Sequence, residues 1–350
     1  MGDVSQTAVG ASRQSVTGVA VVGAGYWGPN LIRVFAALPE CRLVAVCDSD
    51  PARLGPVSAK FPGTYTTTDL NELLADPQVE AVAIATPAAT HYGIARACLE
   101  HDKHVLVEKP FVLHEAHGEE LVRLAAERSR VLMVDHIFLY NPIVVRLAEL
   151  IRTGELGALR YIRTVRTSLG PRLCEDANIV WDAQIHDLYI LLHLVGALPE
   201  RVVATGGAFV RAGIEDVAFT TLYFPGGIVA NCHNTSYAPL KERRMIVVGS
   251  RRMAVYDELS QEAKLVLYDR GFEPFEGTDA LGNRGIRLYD EGGTAVEVSW
   301  SEPLRTECAH FLKCIGSGDE PLSNGRSALQ LLRVLQAVDQ SLKEGRSVGL

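Results

Sequence analysis

The chain has 350 residues, of which 47% are hydrophobic and 22% are charged, as in ordinary soluble globular proteins. This length allows two domains with well-buried cores. The formal net charge of −8, without a basic stripe, argues against a nucleic-acid partner, and no apolar run approaches the length of a membrane span.

Residues 1–16 are small and polar and contain no apolar core, so we interpret them as a disordered leader rather than a signal peptide. The cysteines are odd in number and scattered, and they include no CxxC pair. This usage favours the reducing cytoplasm and free thiols over disulfides or a zinc site. They stand at positions 41, 47, 98, 174, 232, 308 and 314.

The first structured stretch is predicted to be a buried strand, Gly18 to Val22, followed at once by the glycine-rich turn GAGYWG. In such a turn Gly23 makes the tight bend, Gly25 lets the backbone approach a pyrophosphate, and Gly28 lets the helix pack closely on the strand. The helix that begins near Trp27 would point its free N–H groups at the phosphates. The pattern predicts a dinucleotide site, and an ordinary α/β turn is the alternative.

A second strand, Leu43 to Cys47, ends in Asp48, which lies 20 positions after Gly28. A carboxylate at this place accepts hydrogen bonds from ribose hydroxyls and repels a 2′-phosphate, so it favours NAD over NADP. Arg53 lies nearby and would weaken that preference, although a solvated helix residue is the simpler interpretation.

Strands and helices then alternate as far as Val134, which predicts a doubly wound parallel sheet of the Rossmann type. Ligands bind at the carboxyl ends of the strands in such sheets. The groups at those ends, expected to line one edge, are Thr86-Pro87, Glu108-Lys109 and Asp135-His136. The predicted strands are Thr64–Thr67, Val79–Ala85, His104–Val107 and Val131–Val134, and the predicted helices are 51–60, 69–74, 92–101 and 113–128.

The pattern changes near Tyr140, and the second half is predicted to be an α+β domain with a large, mostly antiparallel sheet. We therefore place a dinucleotide-binding domain at 17–137 and a substrate-binding and oligomerisation domain at 138–350. The 271–293 stretch is interpreted as an irregular excursion. The other elements are helices at 142–152, 182–195, 304–315 and 325–343, strands at 159–168 and 294–300, and several β segments between 201 and 269.

Several segments of this second sheet are apolar on both faces, among them Ala218–Phe224, Met245–Val248 and Leu265–Tyr268. One face packs on the domain's own helices, and the other needs a cover. We predict that it forms the interface of a homodimer or homotetramer; the alternative is that 271–293 covers it. A monomer in light scattering at micromolar concentration would contradict the interface.

From residue 17 onward the chain resembles the glucose–fructose oxidoreductase/inositol dehydrogenase family. The resemblance is carried by GAGYWG, Asp48, Thr86-Pro87 with His91, Glu108-Lys109-Pro110, and the WDAQIHD stretch at 181–187. It implies an NAD(P)-dependent oxidoreductase acting on CH–OH groups. HIFLYNP at 136–142 and DANIVWD at 176–182 resemble a subgroup that acts at C3 of nucleotide-linked sugars, with relatives in antibiotic pathways.

Two residues are predicted to carry the chemistry. An ammonium at Lys109, beside the expected nicotinamide, would stabilise the negative charge that develops on the reacting oxygen. His186 is the candidate general acid/base because its ordinary pKa of about 6.5 suits proton exchange near neutrality. Asp182, one helical turn earlier, would orient the imidazole or bind a sugar hydroxyl. The structural alternatives are a surface lysine, a buried histidine and a helix-capping aspartate.

The remaining candidates follow from the motifs and the resemblance, and no metal is assigned to His114, His117 or any other histidine. His193 is interpreted as a core or interface residue. The predicted cofactor-binding residues are Gly23, Gly25, Tyr26, Trp27, Gly28, Asp48, Thr86, Pro87, His91, Glu108 and Lys109. The predicted substrate-binding residues are Tyr140, Asn141, Arg166, Asn178, Asp182 and His186.

Two other functions compete with a nucleotide-sugar oxidoreductase. The first is an inositol-type cyclitol or free-sugar dehydrogenase, which a substrate panel would separate. The second is a non-catalytic NAD(H) sensor or scaffold, which would need neither Lys109 nor His186. Acyl and phosphoryl transfer are disfavoured because the chain has no GxSxG, no P-loop and no zinc signature.

Overall fold

The structure is a computed structural model that describes residues 16–170, 177–278, 280–282 and 284–350. All of the predicted leader except Val16, and part of the polar loop before Val180, lie outside the described residues. Within these ranges the chain forms two sheets flanked by helices. No described helix is long and apolar enough to cross a membrane.

The first sheet confirms the predicted doubly wound parallel fold. Among the described residues its six strands run parallel in the order β3-β2-β1-β4-β5-β6, so the order reverses between β1 and β4. The elements are β1 Thr17–Val22, α1 Gly28–Ala37, β2 Cys41–Cys47, α2 Pro51–Lys60, β3 Tyr65–Thr67, α3 Leu70–Ala75, β4 Ala81–Ile84, α4 Ala88–Glu100, β5 His104–Val107, α5 Glu115–Glu127 and β6 Leu132–Val134.

Local chemistry explains where several of these elements begin. The Asp50 carboxylate accepts a hydrogen bond from the Ala52 N–H at the start of α2, and Asp69 does the same for Asn71 at the start of α3. α4 begins at Ala88, four residues before the predicted start at Tyr92. The small residues after Pro87, interpreted as a loop, are helical because alanine has the highest helix propensity.

The second sheet is mixed but mostly antiparallel, as predicted. Its nine strands in the described residues run in the order β14-β13-β12-β11-β7-β10-β9-β8-β15, and β7–β10 is the parallel pair. The elements after β6 are a 3₁₀ turn Ile137–Tyr140, α6 Pro142–Arg152, β7 Leu159–Leu169, a π-helical turn Val180–Gln184, α7 Ile185–Val195, β8 Arg201–Gly207, β9 Val217–Tyr223, a 3₁₀ turn Pro225–Gly227, β10 Val229–Thr235, β11 Tyr237–Gly249, β12 Met253–Asp257, β13 Leu265–Thr278, β14 Arg284–Ala295, α8 Pro303–Ser317, α9 Gly325–Glu344 and β15 Val348–Gly349.

The interpretation of 271–293 as an irregular excursion was wrong. The stretch belongs to a long hairpin of β13 and β14 at the edge of the sheet, and the strand predicted at 294–300 ends at Ala295. The glycines and the proline of this stretch disfavour a regular strand. The pairing accommodates them through register shifts at Tyr268/Arg270 and Pro274/Thr278.

The hairpin pairs with β12 and extends the sheet sideways, so it does not supply the predicted alternative cover over the apolar face. That face exposes Tyr161 and Phe219, whose exposed fractions are both 46%. The Phe219 ring stacks on His233 with a centroid distance of 4.4 Å. The homo-oligomer through this face stays a prediction.

The last two helices return to the first sheet, although the sequence placed them with the second domain. The Val134 N–H at the end of β6 donates to the Ser323 carbonyl, and α9 packs on α5. α8 packs on α1, where Arg33 and Glu302 form an ion pair. Both halves of the chain therefore build the wall between the two sheets, and the exact domain boundaries stay a prediction.

Candidate active site

The glycine-rich turn after β1 has the backbone geometry that its sequence predicts. Gly23 has a φ of 99°, a left-handed conformation that glycine adopts without strain. A Cβ on Gly28 would overlap the Gly23 carbonyl oxygen, so the start of α1 packs on the turn only with glycine there. A Cβ on Gly25 would meet only the Arg53 guanidinium, at 3.3 Å, because this residue faces an open cleft.

That cleft has a volume of about 980 Å³, which is at the upper end of the range for small-molecule and cofactor sites. Its walls come from the carboxyl ends of the first sheet and, opposite them, from residues near α7 and on α9. The residues present therefore fit a dinucleotide. From the predicted cofactor set the walls include Gly23, Gly25, Tyr26, Trp27, Asp48, Thr86, Pro87, Glu108 and Lys109, and from the substrate set Asn178.

Asp48 lines the cleft and also holds the glycine-rich turn in place. Its Oδ2 accepts a hydrogen bond of 2.6 Å from the Ala24 N–H, and its Oδ1 accepts one from Asp50. Arg53 Nη1 lies 3.6 Å from Oδ2 and its side chain is half exposed. The carboxylate is therefore fixed beside the turn, with one cation at its open side.

His91, a predicted cofactor contact, lies behind the cleft wall. It is buried, and its ring nitrogens lie 2.9 Å from the carbonyl oxygens of Pro110 and Thr86. Burial lowers the pKa of this imidazole, and the two carbonyl contacts oppose that shift. The histidine thus connects the ends of β4 and β5 and does not line the cleft.

Lys109 follows β5 and reaches across to the second half of the chain. Its Nζ donates a hydrogen bond of 3.1 Å to the Asp182 carbonyl oxygen in the π-helical turn. Its own backbone N–H donates to Glu108 Oε2 at 2.9 Å, and the bond to Pro110 is cis. Asp182 thus contacts Lys109 through its main-chain carbonyl oxygen.

His186 lies in the first turn of α7, one helical turn after Asp182, and the Lys109 charge acts on its imidazole. The helix predicted from 182 begins as a π-helical turn and becomes α-helical at Ile185. The Phe138 ring packs edge-on against the imidazole, with centroids 4.8 Å apart. Burial, with the charges of Lys109 and Arg166, holds the pKa of His186 well below its ordinary value. The imidazole is therefore neutral at pH 7.

A buried carboxyl cluster lies behind Lys109, and sequence reasoning missed it. Glu108, Asp135 and Glu307 are neighbours, and burial together with Asp135 raises the pKa of both glutamates well above the ordinary value. Glu307 Oε1 accepts a hydrogen bond of 2.9 Å from the His136 N–H. The Trp27 indole N–H donates to Asp135 Oδ2 at 3.0 Å. Both glutamates therefore hold a proton more strongly than exposed carboxyls do.

His136 is buried between this cluster and α7, and its ring packs on Tyr189 with centroids 3.9 Å apart. Neither ring nitrogen has a hydrogen-bond partner among the described residues. Burial and the charge of Lys109 lower the pKa of His136 to about 3. The residue therefore adds an uncharged wall beside the lysine.

Arg166 on β7 lies near His186, but its guanidinium is already hydrogen-bonded to Asp187. Nε and Nη2 donate to both carboxylate oxygens of Asp187 at 3.0 to 3.3 Å, and the guanidinium lies 4.7 Å from the Phe138 ring centroid. Asn234 completes the coordination of Asp187 with a 2.7 Å hydrogen bond. This network orients the first turn of α7.

The other predicted substrate residues are spread more widely. Asn178 lines the cleft and donates to Asp339 on α9 at 2.8 Å. Asn141 is buried, caps α6 through the Ile143 N–H, and donates to the Tyr256 hydroxyl.

Tyr140 is buried as well, and its hydroxyl lies 3.4 Å from Ser323 Oγ. The structure thus gathers Lys109, Asp182, His186 and Arg166 at one place and leaves Tyr140 and Asn141 in the packing behind it.

Comparisons with known proteins agree with this architecture. Residues 17–136 match a family model described as "Oxidoreductase family, NAD-binding Rossmann fold", and residues 144–255 match the "GFO/IDH/MocA C-terminal domain". A UDP-N-acetylglucosamine 3-dehydrogenase of Acidithiobacillus ferrooxidans is 30% identical over 79% of this chain and 85% of its own. A crystal structure of that enzyme superposes with a TM-score of 0.80 over 93% of this chain and 97% of its own, at 29% identity.

Two further relatives have different printed descriptions. A myo-inositol 2-dehydrogenase of Thermotoga maritima is 26% identical over 95% of this chain and 98% of its own. GenD2 from gentamicin A biosynthesis, solved in complex with NAD, is also 26% identical and superposes with a TM-score of 0.79, covering 99% of both chains. The two dehydrogenases among these relatives therefore have different substrates in their names.

Proposed function

The chain belongs to the GFO/IDH/MocA family of NAD-dependent oxidoreductases, and from this premise we propose that it acts at C3 of a nucleotide-linked sugar. The bound nicotinamide would exchange a hydride with that carbon. The similarity to a UDP-N-acetylglucosamine 3-dehydrogenase supports this substrate class.

One observation carries the proposed chemistry: the Lys109 ammonium bonds to the Asp182 carbonyl, one helical turn before His186. This contact brings a cation that lines the cofactor cleft close to an imidazole on which its charge acts, and the two come from different halves of the chain. This is the arrangement that oxidation of an alcohol requires, because the hydroxyl must lose a proton while negative charge develops on its oxygen.

In this proposal Lys109 donates a hydrogen bond to the reacting oxygen and stabilises its charge. His186, held neutral by burial and the neighbouring cations, accepts the hydroxyl proton during oxidation and returns it during reduction. Asp182 fixes the lysine through its carbonyl oxygen. His136, buried and uncharged, packs beside the lysine.

A cyclitol dehydrogenase is the second candidate. It is favoured by the match to myo-inositol 2-dehydrogenase, which extends over nearly all of both chains. The same lysine and histidine would serve that reaction, because the chemistry at the carbinol carbon is unchanged.

A substrate panel separates the two candidates. We expect NADH formation with UDP- or dTDP-linked N-acetylhexosamines at a kcat/KM at least tenfold above that with myo-inositol or free N-acetylglucosamine. Mass spectrometry of the product would place the new carbonyl at C3. Faster turnover of myo-inositol, or a carbonyl at another carbon, would overturn the proposal.

A further inference from the structure

Two arginines lie directly opposite each other on the neighbouring strands β7 and β11. The register pairs Arg166 with Arg243, so both side chains leave the same face of the sheet, the face that carries the Asp187 network. Like charges in such cross-strand positions destabilise a sheet. Asp187 neutralises Arg166 through a forked ion pair, but this contact does not extend to Arg243.

Arg243 is half-buried, and its guanidinium makes no hydrogen bond or ion pair with any residue in the described part of the chain. Glu258, its neighbour on the other side, bonds to it through the backbone only, with the Glu258 N–H donating to the Arg243 carbonyl at 2.9 Å. Burial and the charge of Arg166 lower the pKa of Arg243, and the charges of Glu258 and Asp187 oppose that shift only in part. A partly desolvated cation that has no hydrogen-bonded partner among the described residues is costly, which points to a ligand that supplies a directly bonded negative charge.

The position of this cation relative to the reacting groups is defined by Phe138. The phenyl ring lies between the Arg166 guanidinium, at 4.7 Å, and the His186 ring, at 4.8 Å. Arg243 stands next to Arg166 in the same row, and its charge also acts on His186. The Arg243 guanidinium therefore lies near His186, the proposed proton acceptor, with Arg166 on the neighbouring strand and the Phe138 ring as intermediate contacts.

We propose that Arg243 binds a phosphate of the substrate and so selects sugars that carry a diphosphate over neutral ones. This inference rests on the proposed function, because the diphosphate of a nucleotide sugar begins a few bonds from C3 and extends away from it. A planar guanidinium with all its N–H donors free matches phosphate oxygens in a bidentate manner. Arg166 holds α7 and Phe138 in place, and Arg243 supplies the charge.

The test compares Arg243→Gln with Arg244→Gln. Arg244 is the next residue along β11, so its side chain leaves the opposite face, where it is exposed and pairs with Asp257 at 2.7 Å. In the NAD-loaded protein we expect Arg243→Gln to raise the KM for the nucleotide sugar about 10- to 100-fold with a smaller change in kcat. Arg244→Gln should match the wild type, and Arg243→Lys should recover part of the loss.

Calorimetric titration with UDP gives a readout that does not depend on turnover. We expect Arg243→Gln to weaken UDP binding at least tenfold while circular dichroism and the melting temperature stay those of a folded protein. Equal UDP affinities in the wild type and Arg243→Gln would overturn the phosphate contact, as would an equal loss in Arg244→Gln.

The two proposals can fail separately. If the wild type turns over only neutral polyols, the nucleotide-sugar function fails, and the phosphate site is judged by titration with UDP and inorganic pyrophosphate. Binding that Arg243→Gln weakens would then support the site. Absence of binding by the wild type would overturn it.

Discussion

The cofactor edge and the substrate wall of this protein are built in different ways. The cofactor edge comes from consecutive strand ends of one sheet, each carrying a short contiguous motif such as Gly23–Gly28 or Glu108–Lys109. The substrate wall comes from a 3₁₀ turn, a π-helical turn and two strands, and its groups meet only after the sheet has formed. In our proposals the first region binds its ligand with fixed backbone, and the second binds its ligand with positioned side-chain charge.

The largest effect is expected from Lys109→Ala, which tests whether this lysine serves the cofactor edge or the substrate wall. The lysine follows a cofactor-edge strand but points its ammonium to the substrate wall. We expect kcat to fall about 10²- to 10⁴-fold, because a donor to the developing charge is lost, while the Kd for NADH changes little.

Stopped-flow turnover and NADH fluorescence titration measure these two quantities, and Lys313→Ala, at an exposed position on α8, is the control. A variant that lost NADH binding and kept kcat would assign the lysine to the cofactor edge.

A smaller effect, confined to the cofactor edge, is expected from Gly28→Ala. Its methyl group would overlap the Gly23 carbonyl oxygen, so the turn must open. We expect the Kd for NAD to rise about tenfold or more and the melting temperature to fall. Gly55→Ala is the matched control, because its Cβ meets nothing within 4 Å in α2 and alanine favours the helix. Similar NAD affinities in both variants would argue that the turn does not touch the cofactor.

The smallest effect concerns the carboxyl cluster between the two regions. Glu307 has a pKa raised in the folded state, so the folded protein holds a proton that the unfolded chain releases. Stability therefore falls as pH rises above the ordinary carboxyl pKa. Glu307→Gln keeps an acceptor for the His136 N–H and does not ionise.

We expect the variant to melt a few degrees above the wild type at pH 8, and this difference to shrink toward pH 4. Melting curves across this range measure it. If Glu307→Gln melted below the wild type at pH 8 but not at pH 4, Glu307 would be charged in the native protein at pH 8.

The sequence predicted the cofactor edge closely because its signals are local. A buried strand, three glycines and an acid at fixed spacing define one geometry, and β5 was predicted to the residue. Hydrophobic periodicity tells which face of a strand is buried but not which residue of another strand lies opposite. The Arg166–Arg243 pair depends on that register, so it was not predictable.

The same limit applies to the carboxyl cluster and to the β13–β14 hairpin. Glu307 and His136 lie 171 positions apart, and nothing near either residue indicates the other. We interpreted the hairpin stretch as irregular because it contains several glycines and Pro274. An edge strand with bulges tolerates such residues. Its cross-strand ion pairs, such as Arg270 with Asp290, became visible only with the pairing.

The return of the chain to β6 has a consequence for biosynthesis. The Val134 N–H finds its acceptor at Ser323, and the outer side of α5 is covered by α9, so the nucleotide-binding half finishes forming only after almost all of the chain has been translated. A ribosome-bound chain in which only the nucleotide-binding half has been synthesised exposes the β6 edge of the sheet and the side of α5 that α9 later covers.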